Sequence, residues 1–110
     1  MAGGRGERRE KITSASFTYK LAKALRHATR EHAAIAADIL GMRADPRTIA
    51  ALIWAVKHCE DSLVRSSAVR ALARFRDRRA QVTVMEATAD RDALVRKTAR
   101  DVVGSALRNR

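Results

Sequence analysis

Leu63-Val64-Arg65 recurs as Leu94-Val95-Arg96, 31 residues further on. The agreement extends outward at the same offset, with Asp61 against Asp92, Ala68 against Ala99 and Leu72 against Val103. An earlier unit aligns with a slip of one: Ala36 with Ala68, Leu40 with Leu72 and Asp45 with Asp77, each 32 apart. Self-similarity at a period of a few tens of residues is the mark of stacked supersecondary units, each unable to cover its own apolar face alone. Such a stack works as a surface for holding partners and needs no catalytic pocket.

The apolar spacing within each unit is helical. Phe17, Leu21, Ala24 and Ala28 form one stripe with Leu25 on its flank, and Ile35, Ile39 and Leu40 carry a second helix stopped at Gly41, a natural position for a left-handed residue. Asp45-Pro46 reads as N-cap and first helical residue, followed by Ile49, Leu52, Ile53 and Val56 on one face. Asp61 caps a helix with Val64, Ala68, Leu72 and Phe75 inward. Asp77 opens the next, through Val82, Val84 and Met85, and Asp92 caps the last, with Val95, Ala99, Val102, Val103, Ala106 and Leu107 inward. No alternating run of β-branched residues bounded by turn chemistry is present. The expected fold is all-α: an α-solenoid of about three antiparallel helix pairs, over residues 14–41, 45–74 and 77–107. A Gly-rich, charged N-terminal tail of residues 1–13 is expected to be mobile, and residues 108–110 form a basic end.

These residues resemble HEAT repeats, in particular the short HEAT-like kind known from phycobilin lyases. Asp45-Pro46-Arg47, Glu60-Asp61, Val64-Arg65, Ala68 and Leu72 fit the pattern, and Asp90, Asp92, Val95-Arg96, Ala99, Val103 and Gly104 fit it again. The first unit departs from it, with His32-Ala33 where Val-Arg would stand, as suits an atypical capping repeat. The resemblance implies a structural ladder in which Arg65 and Arg96 pair with the turn aspartates Asp61 and Asp92. It implies a fold used for many tasks and supplies no chemistry.

Lys and Arg number 23 against 12 Asp and Glu, a net charge of +11 that attracts polyanions, although arginine-rich composition raises charge everywhere. The turns leaving each second helix fall on one edge of the stack and carry Arg43, Arg47, Arg74, Arg76, Arg78, Arg79, Arg108 and Arg110. The opposite edge carries Glu31, Glu60, Asp61, Asp90 and Asp92. Helix dipoles explain Arg74, Arg108 and the acidic caps, but not Arg47, Arg78 and Arg79 at helix starts, where an arginine suits an anion such as phosphate. On the inner wall, Ala34, Ser66 and Lys97, then Asp38, Arg70 and Asp101, are expected exposed, with Arg70 able to pair with both aspartates.

Trp54 is expected on the convex side near Ala22 and Glu86, either as an exposed protein-interaction anchor or folded over Ala22 and half-buried. His27, His32, His58 and Cys59 offer poor metal-ligand spacing, and no nucleophile–base–acid set emerges, so neither enzyme activity nor a metal or other cofactor is expected. One cysteine allows no internal disulfide, and no apolar run spans a bilayer, which makes a cytoplasmic protein the expectation. Two functions follow: an adaptor or scaffold binding a protein partner, or an accessory protein contacting DNA or RNA phosphates through the arginine edge without sequence readout. Self-association through an uncapped end, at Phe17, Tyr19 or Val102, is a third use of the surface.

Overall fold

The computed structural model describes residues 14–108, and both the N-terminal tail and Arg110 lie outside them. Six helices follow in order: α1 Ser14–His27, α2 Arg30–Arg43, α3 Ile49–His58, α4 Ser62–Leu72, α5 Arg78–Ala87 and α6 Ala93–Arg108, with a single 3-10 turn, Pro46–Thr48, leading into α3. No strand occurs among the described residues. Consecutive helices pack as antiparallel pairs, and the pairs stack so that α1, α3 and α5 form one layer and α2, α4 and α6 the other. Because direction alternates along the chain, the turns after α2 and α4 share one edge. Those inside the pairs share the other.

Side-chain oxygens set where the helices start. Asp61 accepts from the backbone N–H of Leu63 and Val64 at 2.8 and 3.4 Å, and Asp92 from that of Leu94 at 2.8 Å. These bonds satisfy amides that the first helical turn leaves without a partner. Asp77 and Asp45 do the same for Arg79 and Arg47, though behind Asp45 the chain makes a 3-10 turn before α3 proper begins.

The core differs from the expected one in its use of small residues. In α2 the buried residues are Ala33, Ala34, Ala36, Ala37, Leu40 and Gly41, whereas Ile35 is 54 % exposed. Phe17 is likewise exposed, and α1 buries Leu25 and Thr18 instead. Small side chains let α2 and α4 approach closely, and this close approach decides which face turns inward. Gly41 shows how tight the contact is. It is no helix stop but lies inside α2, where a Cβ would sit 2.7 Å from the Ala71 Cα. The left-handed residue that ends α2 is Ala44 (φ 50°), whose N–H donates to the Leu40 carbonyl at 3.0 Å. In α6, Val95 and Ala99 are buried and Val102 and Val103 partly so, but Ala106 and Leu107 are exposed, with none of the described residues covering them.

Candidate functional site

Arg65 joins the second unit to the third. Its Nη1 donates to the Cys59 and Glu60 carbonyls at 2.8 and 2.7 Å, while Nε and Nη2 reach the two carboxylate oxygens of Asp90 at 3.2 and 3.1 Å. The guanidinium is buried and satisfied by a two-pronged acceptor, the geometry for which arginine is suited. Asp90 is thus the ladder acid of this arginine, in place of Asp61 and Asp92. The two expected acids serve as helix caps, and Asp61 also meets the exposed Arg30 at 3.5 Å. Burial alone would raise the Asp90 carboxyl, but the Asp92 N–H at 2.8 Å and the Arg65 guanidinium outweigh it and hold the group below its usual range. Sequence reasoning missed this pair because the two residues stand 25 apart and only the unit-to-unit stacking brings them together.

Arg96, the counterpart of Arg65, makes half of the same arrangement. Its Nη1 donates to the Asp90 carbonyl at 2.9 Å, six residues back, as the Arg65 Nη1 does to that of Cys59. No carboxylate meets it among the described residues.

At the arginine edge, two of the expected anion-binding residues already have an anion. Arg47 folds back on Asp45 through Nε (3.1 and 3.2 Å) and Nη2 (2.6 Å), and Arg79 on Asp77 through Nε and Nη2, both 3.2 Å. The Arg47 hydrogen bond pulls the Asp45 carboxyl down to about 2, and Arg79 lowers that of Asp77 in the same way. The repeated Asp-x-Arg spacing, at 45/47 and 77/79, was the available signal for these pairs. An arginine at a helix start is tolerated here because the capping aspartate neutralises it. Arg74, Arg76, Arg78 and Arg108 remain exposed, and Arg43 lies 5.2 Å over the Phe17 ring.

The inner wall is narrower than expected. Ala34 and Ser66 are buried in the contacts between second helices, where the Ser66 and Thr98 hydroxyls share a hydrogen bond at 2.7 Å. Arg70 pairs with Asp38 at 3.3 Å but not with Asp101, which instead meets Lys97 at 2.8 Å on its own helix.

Trp54 is half-buried and packs against the core cluster, as Ala22 does. The Arg26 guanidinium lies 4.3 Å from its ring centroid, and the His58 ring stands 5.5 Å away. One face of the indole is therefore occupied by a cation, so a partner docking on that face would have to displace Arg26. The Cys59 thiol donates to the Leu25 carbonyl at 3.5 Å, and burial pushes its pKa up, so it is held in the protonated form. Among the described residues no group of three or more His, Cys, Asp or Glu could hold a metal ion, and no helix is long and apolar enough to cross a membrane.

The comparisons agree with this geometry. No curated protein matches the chain. The family model described as HEAT repeats matches residues 18–104, most of the sequence and all three helix pairs. HEAT repeats generally mediate protein interaction or scaffolding and are typically non-enzymatic. By its internal period, its stacked helical pairs and this match, the chain belongs to the HEAT repeat family.

Proposed function

We propose that the chain is a non-enzymatic binding module, an adaptor or scaffold whose partners are proteins. The observation that carries this reading is where the large apolar side chains lie. A core rich in alanine builds the stack, while Phe17, Tyr19, Ile35, Met42, Val82, Met85, Leu94 and Leu107 are exposed. Large apolar groups left at the surface beside charged ones are what a protein partner can desolvate. Met85 and Leu107 also line one groove of about 320 Å³ with Phe75, Val84, Val102 and Val103. A place in the cytoplasm, among protein partners, belongs to the same reading.

The test is a photo-cross-linking amino acid placed at Ile35 and, separately, at Met85 in cells that make the protein, followed by nuclease treatment. Discrete protein adducts are expected at one or both positions. Adducts that vanish with nuclease contradict the reading.

A second reading, phosphate contacts to DNA or RNA, is favoured by the +11 charge and by Arg74, Arg76, Arg78 and Arg108, exposed and without a carboxylate among the described residues. Arg47 and Arg79 contribute less to it, because each is already paired. On this reading, oligonucleotide anisotropy falls about tenfold in affinity between 50 and 200 mM salt. Replacing Arg76 and Arg78 removes the binding. Salt-insensitive binding, or none, removes the reading.

A further inference from the structure

We infer that the corner between α4 and α5 receives a phosphorylated side chain of a partner protein, held by Arg74, Arg76 and Arg78. The inference rests on the protein-binding reading above and specifies the partner's chemistry.

A comparison of the two corners between units carries it, aligned as Asp45 with Asp77. Both hold the same clasp, Asp45 with Arg47 and Asp77 with Arg79. In each, the aspartate accepts the backbone N–H of that arginine, so the clasp is part of how a corner is built. The positions around it differ. Where the first corner has Met42, Ala44 and Pro46, the second has Arg74, Arg76 and Arg78. An arginine-rich composition, or a demand of the repeat, would load both corners alike. Only one is loaded. Its three arginines are exposed, and none meets a carboxylate among the described residues. Asp77, the one acid between residues 73 and 79, is already engaged through both oxygens by Arg79.

The backbone under these arginines is fixed. Phe75 is buried, and its N–H donates to the Leu72 carbonyl at 3.1 Å. The Arg74 N–H reaches the Ala71 carbonyl at 3.1 Å, and Asp77 accepts from the Arg79 N–H at 2.8 Å. Arg76 thus stands between two anchored residues. A Cβ on Gly41 would lie 3.4 Å from the Arg74 Cδ, so the stem of Arg74 rests against α2. A site on a fixed backbone binds with less loss of freedom than one gathered from a mobile loop.

The ligand's chemistry follows from the charge. A carboxylate answers one guanidinium fork, whereas a phosphomonoester brings about two negative charges and three acceptor oxygens. A nucleic-acid backbone calls instead for free cations at successive points along the edge. At the neighbouring corner Arg47 is held by Asp45, and Arg43 lies over Phe17. The free charge is concentrated at one corner, as a compact dianion requires.

The probe is an acetylated, amidated alanine peptide with one central phosphoserine, titrated into the isotope-labelled full chain at low salt and followed in nitrogen–proton spectra. Saturable shifts centred on residues 73–80 are expected, half-complete below about 1 mM. Serine in place of phosphoserine is expected to abolish them, and glutamate to weaken binding at least tenfold. Affinity is expected to fall as the pH drops through about 6, where the phosphate takes up a proton, since the corner has no histidine. Arg76→Ala with Arg78→Ala is expected to weaken binding at least tenfold with the circular dichroism unchanged, and Arg47→Ala less than twofold. No saturation, equal affinity for the serine or glutamate peptide, affinity indifferent to pH, or equal losses in the two variants overturns the assignment. So does a single-stranded oligonucleotide that binds more tightly than the phosphopeptide and shifts residues 43–47 as well, since a nucleic-acid backbone then occupies the edge. Each of these results leaves the broader protein-binding reading to its own cross-linking test.

Discussion

Arg65 is 2 % exposed, and the carbonyls of Cys59 and Glu60 and the carboxylate of Asp90 satisfy its guanidinium. Removing it leaves Asp90 with neither its counter-charge nor its two-pronged donor, and breaks one of the polar links between the second and third units. Loss of one partner of a buried ion pair is costly chiefly because the other charge is left uncompensated. Arg65→Ala is therefore expected to lower stability by about 3 kcal/mol in urea denaturation at neutral pH. Arg96→Ala, removing a half-buried arginine with a single carbonyl contact, is expected to cost less than about 1 kcal/mol. Equal costs for the two would mean that the fork to Asp90 adds nothing.

At the scale of the helices, the Gly41 and Ala44 positions invert the usual arrangement at a helix end. Glycine stands inside α2 against Ala71, and alanine takes the left-handed position after it. Gly41→Ala gains helix propensity but drives a Cβ into backbone, so a net loss of about 1–3 kcal/mol is expected. Ala44→Gly relieves the left-handed conformation and is expected to gain up to about 1 kcal/mol. Thermal melts of the two variants check both signs. The same inversion shows what was legible in the sequence. Asp61, Asp77 and Asp92 announced their helices because a cap is read within three residues of itself. The phase of α1 and α2 was misread because Phe17 and Ile35 outweigh alanine in any count of apolar residues. The close contact of α2 with α4 nevertheless selects the alanine face. The partner of Arg65 and the neutralised state of Arg47 and Arg79 needed, respectively, the stacking of units and the fold-back of a side chain. The period revealed the first only as architecture.

Over the whole molecule, the units are joined by small-residue packing, the Arg65–Asp90 fork and the Ser66–Thr98 hydroxyl contact. The last unit ends with the same fork half-made. This asymmetry, a fork closed on a carboxylate at Arg65 and a single carbonyl contact at Arg96, is the core of the structural account. Arginine side-chain Nε–Hε resonances observe it directly, through nitrogen–proton spectra of the free protein with solvent-exchange rates. The account predicts a slowly exchanging signal for Arg65, lost in Asp90→Asn, and a rapidly exchanging one for Arg96. Equal exchange at the two arginines, or an Arg65 signal indifferent to Asp90→Asn, would contradict it.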